Sequence, residues 1–223
     1  MTRDEATRRV DAILRLYVSA RDPREFELLP KALTAGKLYE AYVLALISKQ
    51  LASVEGLRLM LMNSSYMPLK SSPSPINRRY PHIRLLRDGR VVGEMWTDIE
   101  FISLSHGLRA SGIPTKGEYH ELDIAVVEPN LSGRPRNDQV WLAAECKNTG
   151  YTKGLLKEIL GVRRELSLLQ DERPTKFRRW TRTRISCNPP SCLLVYASDK
   201  GVAEYARPGE VFGIDFYYEE LAL

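Results

Sequence analysis

A chain of 223 residues with 43% hydrophobic and 27% charged residues can bury one sizeable core, which excludes global disorder and leaves no room for a long multidomain enzyme. The 33 basic and 28 acidic residues give a formal net charge of +5, but the excess is local. Arg173 to Arg184 (RPTKFRRWTRTR) carries Arg173, Lys176, Arg178, Arg179, Arg182 and Arg184 without an acid, and the rest of the chain has 27 basic against 28 acidic residues, a net −1.

The N-terminus predicts a helix from about residue 4 to 20, with Val10, Ile13, Leu14, Tyr17 and Val18 along one face. A second helix follows over Thr34 to Ala52. It is apolar on nearly every side, as a buried helix is. Gly56 to Asn63 alternates like a strand, and Ser64 to Pro75 reads as a surface loop. His82 to Arg87 and Val91 to Met95 form a hairpin turning at Asp88-Gly89, followed by a strand around Thr97 to Leu104 and a loop from Gly107 to Gly117. Glu121 to Val127 and Val140 to Glu145 are short apolar runs bounded by turn signals, hence central strands. Lys153 to Leu169 has the spacing of an amphipathic helix, Cys192 to Ala197 is a further core strand, and Val211 to Tyr218 supplies an edge strand.

This order predicts an α/β protein with a mixed central sheet flanked by helices. No repeat or linker divides it, so residues 1–223 read as one domain, with an N-terminal helical part over about 1–55. The longest apolar run, Ala41 to Ile47, falls far short of the ~20 residues of a membrane-spanning helix, and the first residues lack a signal-peptide core. Cys146, Cys187 and Cys192 suit a reducing compartment. The expectation is a cytoplasmic protein with no membrane partner.

The chemistry concentrates at two strands. Asp123 lies near the start of one; Glu145 and Lys147 end the next, in Ala-Glu-Cys-Lys-Asn. Residues two apart in a strand project to the same side, so Glu145 and Lys147 go together, and Asp123 reaches them if the strands are neighbours. Two carboxylates suit a hard cation such as Mg²⁺. Such an ion activates water for phosphodiester hydrolysis, with Lys147 positioning the water or neutralising a phosphate. Acid-x-Lys occurs once in this chain, at the end of a core strand. Glu121, two residues before Asp123, is an auxiliary ligand or a rim charge. His120-Glu121 lacks the second His of a zinc-protease helix, since position 124 is Ile124, and no Walker loop or G-x-S-x-G elbow is present. Cys187 and Cys192 lack a second ligand pair nearby for zinc.

Glu121-Leu122-Asp123-Ile-Ala-Val-Val with Ala144-Glu145-Cys146-Lys147-Asn148 resembles the PD-(D/E)XK nuclease superfamily. The resemblance implies a restriction-endonuclease-like core of helix, three antiparallel strands, helix and strand over about 34–197, with N-terminal helices and an inserted β-hairpin. It implies a Mg²⁺- or Mn²⁺-dependent endonuclease cutting DNA phosphodiesters in defence, restriction or DNA processing. Asp123 and Glu145 would hold the metal with the Cys146 carbonyl, and Lys147 would position water. Glu40, the one acid between Glu27 and Glu55, is similar to the family's helix glutamate; the plainer reading pairs it with Lys37. Two departures are Leu122 in place of Pro and a long loop over Glu128 to Asp138. A homodimer is the default, because two strands require two cuts.

The basic segment interleaves Phe177 and Trp180 with its cations, a composition suited to phosphate contact and base stacking. Arg173, Lys176, Arg178, Arg179, Trp180, Arg182 and Arg184 are the expected nucleic-acid surface, flanking the site. The competing reading is a nuclease-fold DNA-binding or assembly subunit of a larger defence or transposition complex, inactive alone. The apolar faces of the first helix and of Lys153 to Leu169 would then be partner surfaces.

Overall fold

The short apolar runs become strands of a single sheet, and the helices cover its two faces. The computed structural model describes residues 2–20, 29–30, 33–109, 112–169, 179–180 and 187–221. In chain order these form α1 (Arg3–Tyr17), β1 (Val18–Ala20), α2 (Ala35–Ser53), β2 (Arg58–Met62), β3 (His82–Arg87), β4 (Arg90–Ile102), α3 (Leu104–Arg109), β5 (Tyr119–Val127), β6 (Val140–Lys147), α4 (Lys153–Leu166), β7 (Leu168–Leu169), β8 (Cys187–Asn188), β9 (Cys192–Ala197), α5 (Val202–Glu210) and β10 (Ile214–Tyr218).

Eight strands make one mixed sheet in the order β1-β2-β3-β4-β5-β6-β9-β10, and β7 and β8 form a separate two-stranded ribbon. From β2 to β6 neighbours are antiparallel. The pairs β1 with β2, β6 with β9 and β9 with β10 are parallel. Each parallel pair is joined through a helix, as a parallel connection requires: α2, α4 and α5 respectively.

One core lies beneath α1 and α2, with Leu38, Val43, Leu44, Ile47, Ile124, Val126, Leu142 and Leu194 among its buried members. The other lies beneath α4 and α5, and includes Trp96, Phe101, Ala125, Leu156, Ile159, Val195 and Val202. Two layers of core explain why α2 is apolar all round: it is covered by α1 on one side and by the sheet on the other. Each fully buried Leu or Ile in these layers contributes about 1.5–3 kcal/mol.

The hairpin at Asp88-Gly89 forms as the sequence signals. Both residues take positive φ, 52° and 77°, the conformation of a two-residue type I′ turn. Several boundaries differ from expectation. The first helix stops at Tyr17, because Val18 turns extended and Val18 to Ala20 pair with Leu59 to Leu61. The strand Val91 to Met95 and the strand at Thr97 are one continuous strand, β4. The helix from Lys153 ends at Leu166, where Ser167 becomes extended and Leu168–Leu169 pair with Cys187–Asn188. Within Gly107 to Gly117, expected as loop, α3 continues to Arg109 and a 3-10 turn begins at Lys116. The helix α5 was not legible at all; it precedes the expected edge strand.

The two apolar faces expected to meet partners are used inside the chain. Val10 and Leu14 of α1 join the first core, and Leu156, Ile159, Val162 and Leu166 of α4 join the second. Among the described residues no helix is long and apolar enough to cross a membrane. Cys146, Cys187 and Cys192 are free thiols.

Candidate metal centre and its flanking charges

The site forms where β4 and β5 change the phase of their side-chain alternation. On β5, Ile124 and Val126 face α1 and α2, while Ala125 and Val127 face α4 and α5. Strict alternation would put Leu122 with Ile124, yet Leu122 lies in the opposite core. On β4, Met95 belongs to the first core, whereas Trp96, Ile99 and Phe101 all belong to the second. Both strands slip at the same rung. Thr97 pairs with Ile124 and Ile99 with Leu122, which sets Asp98 opposite Asp123. Asp98 adopts φ 48°, a left-handed conformation that Asp tolerates better than most side chains.

The slip delivers both carboxylates to the α2 side. There one oxygen each from Glu40, Asp98 and Asp123 lie within 4.8 Å of one another, the one such group of metal-ligating side chains among the described residues. Glu40 sits on α2 one turn after Lys37, and the Lys37 ammonium donates to Glu40 Oε2 at 2.6 Å and to Asp98 Oδ1 at 2.7 Å. The plain pairing of Glu40 with Lys37 is therefore present, inside the cluster rather than instead of it. Asp98 Oδ2 is buried without a hydrogen-bond partner. Lys70, from the loop before β3, donates to the Asp98 carbonyl at 3.4 Å and to Ser74 Oγ at 3.1 Å. The start of α2 is tied to the end of β6 by Asn148, whose Nδ2 donates to the Ala35 carbonyl at 3.3 Å.

Glu145 and Lys147 do project together. The Lys147 ammonium donates to Glu145 Oε2 at 3.0 Å and to Glu158 Oε1 of α4 at 3.1 Å. Asp123 connects the two groups: its Oδ2 accepts the Cys146 main-chain N–H at 2.7 Å. The Cys146 side chain packs against the α1/α2 core, near enough to the carboxylates that burial first, and then the Asp123, Glu40 and Glu145 charges, push its thiol well above the usual range. Glu145 is not one of the three clustered carboxylates; it stands beside them, close enough for the Asp123 charge to act on it.

Electrostatics follow burial. Glu145 is pushed up to about 8, first by burial and then by the Asp123 charge, against the pull of Lys147. Glu40 is pushed up to about 7 by burial and by Asp98 and Asp123, opposed by Lys37. Asp98 and Asp123 are raised mainly by burial. Burial acts to lower Lys147, but Glu145, Asp123 and Glu158 outweigh it and hold the ammonium well above its ordinary value. These carboxylates favour the charged ammonium form of Lys147.

Asp98, Lys70 and Glu158 were missed by sequence reasoning, as was the second bond of Lys37, to Asp98. The available signal for Asp98 was two acids, Asp98 and Glu100, inside an apolar strand. Glu121 is exposed, a rim charge opposite Glu100. The loop after β5 folds back on the sheet through bridges from Gly133 to Ile76 and from Arg136 to Ile102.

Of the basic strip, Arg179 and Trp180 are described; Arg173, Lys176, Arg178, Arg182 and Arg184 lie outside the described residues. The main-chain N–H groups of Arg179 and Trp180 both donate to Glu55 Oε1, the latter at 2.7 Å. Glu55 follows the C-terminus of α2, whereas Glu40 sits near its N-terminus. These two residues of the strip therefore stand at the far end of α2 from the carboxylates and do not flank them. Trp180 is half-buried against the first core, and Arg179 is exposed.

No protein-family model, curated protein or solved structure matches this chain.

Proposed function

We propose that the protein is a metal-dependent endonuclease of the PD-(D/E)XK type, hydrolysing DNA phosphodiesters with Mg²⁺ or Mn²⁺. The observation that carries the reading is the convergence of Glu40, Asp98 and Asp123 beside the Glu145 and Lys147 pair. The order α2, antiparallel β4, β5 and β6, α4, β9 agrees with the restriction-endonuclease-like core that the motif implies.

The donor set fits a hard cation. It is made of carboxylate oxygens, it contains a buried oxygen of Asp98 with no partner, and it can leave positions for water. Glu40, Asp98 and Asp123 would hold the ion, with Glu145 and the Cys146 carbonyl adjoining. In a strand a residue's N–H and C=O lie on the same edge, so the Cys146 carbonyl faces the edge at which its N–H meets Asp123. A bound divalent ion supplies an activated water and positive charge for the phosphate. Lys147, held between Glu145 and Glu158, adds charge where a scissile phosphate would approach. Asp123 is positioned for its role by the Cys146 N–H.

A cleavage assay on duplex, single-stranded and branched DNA, with Mg²⁺, with Mn²⁺ and with chelator, tests the reading. Cutting that requires metal and disappears in folded Glu145→Ala and Lys147→Ala supports it. Substantial cutting by purified Glu145→Ala sinks it.

A further inference from the structure

We propose that Lys37 is a displaceable internal cation: its ammonium group occupies the Glu40 and Asp98 carboxylates in the metal-free protein and is exchanged for the divalent ion when the site loads. This rests on the metal-centre reading and adds how that centre is gated. The Lys37 ammonium bonds two of the three clustered carboxylates at 2.6 and 2.7 Å. A divalent ion bonds carboxylate oxygens at about 2.0–2.6 Å, so the two cations compete for the same oxygens. A second observation points to a missing ligand. Asp98, whose side chain is 6% exposed, keeps its Oδ2 buried without a partner even with Lys37 in place.

The helix does not favour a lysine at this position. Lys37 is in the first turn of α2, three residues after the cap Thr34, in a turn without an acid, where a positive charge opposes the helix dipole. The carboxylates hold it there. Its stem is unbranched and flexible, and the side chain is 19% exposed, so the ammonium has a path to solvent without movement of the backbone.

The exchange lowers the apparent metal affinity by the fraction of molecules in which Lys37 holds the carboxylates. Mn²⁺ binding is measured by calorimetry on the full chain, with melting curves to verify folding. Expected are about tenfold or greater tightening in Lys37→Met and loss of binding in Glu40→Gln. In parallel, acylation of Lys37 by an amine-reactive reagent, read by mass spectrometry, rises when Mn²⁺ is added to the wild type. Mn²⁺ binding that Glu40→Gln abolishes but Lys37→Met leaves unchanged or weakens, with Lys37 labelling no higher, overturns the exchange while the metal centre stands. No Mn²⁺ binding by wild type or by Lys37→Met overturns both.

Discussion

Asp98 and Asp123 face each other across the β4 and β5 ladder, two like charges on opposite members of one rung. Carboxylates placed directly opposite one another in a sheet are destabilising, and here burial adds to the cost. A cation relieves both.

Replacing Asp98 with Asn therefore has its main effect on metal binding. Affinity for Mn²⁺ is expected to fall by about 100-fold or more, since even a partner outside the coordination sphere costs 10- to 100-fold. Calorimetry checks it; a Kd within threefold of wild type removes Asp98 from the site.

The metal-free protein should lose stability as pH rises. Burial raises Glu145 from 4.5 to about 8 and Glu40 from 4.5 to about 7, so the folded state holds protons that the unfolded state has released. The stabilisation is complete below about pH 4.5 and is lost as pH climbs towards 8. Melting in chelator should show Tm falling over that window, and Glu145→Gln should flatten it. Added Mg²⁺ should restore Tm most at the alkaline end. A Tm that climbs between pH 5 and 8 in chelator contradicts the assignment.

A second charged cluster acts in the opposite sense. Glu94 on β4 is fully buried, accepts from both terminal nitrogens of Arg78, and lies 3.6 Å from His82 Nε2 and 3.5 Å from Arg84 Nε. The His82 and Trp96 rings stack, with centroids 4.2 Å apart. Burial works to raise Glu94, but His82 and Arg78 outweigh it and hold the carboxyl at about 2. Its stabilisation is present above about pH 4.5 and lost as pH falls towards 2. Glu94→Ala, which strands Arg78 and His82, should cost about 3–5 kcal/mol. Urea unfolding at pH 7 tests this, and a loss below about 1 kcal/mol would refute it.

Neutralising the basic strip should separate binding from chemistry. Arg179 lies at the far end of α2 from the carboxylates. The triple change Arg178→Ala, Arg179→Ala and Arg182→Ala should weaken DNA binding and flatten its salt dependence, by about 0.9 in log–log slope for each phosphate that is no longer neutralised, with the cleavage rate at saturating DNA unchanged. Equal binding at every salt concentration would show that the strip does not touch nucleic acid.

The sheet, its antiparallel middle and the buried α2 were legible because strands alternate and apolar runs end at turn residues. Asp123, Glu145, Lys147 and Glu40 were legible as neighbours because strand ends and the one acid in a mostly apolar helix leave few places to go. Asp98 was not. In Trp96-Thr97-Asp98-Ile99 it reads as an ordinary strand acid, and neither its positive φ nor the shared phase slip with Asp123 has a local signature. The Lys37 bond to Asp98 and the Glu158 bond to Lys147 depend on packing between different elements. The position of Arg179 and Trp180 was misjudged for the same reason. The chain leaves α4 at its end remote from Lys147, and Glu55 captures the main chain of Arg179 and Trp180.

That capture fixes a length. At about 1.5 Å of rise per residue, the run of α2 from Glu40 to its end at Ser53, just before Glu55, covers about 20 Å. The carboxylates and Arg179 therefore stand about 20 Å apart, at opposite ends of a helix that α1 and the sheet enclose, and any one ligand that touches both has to cross that distance over the surface.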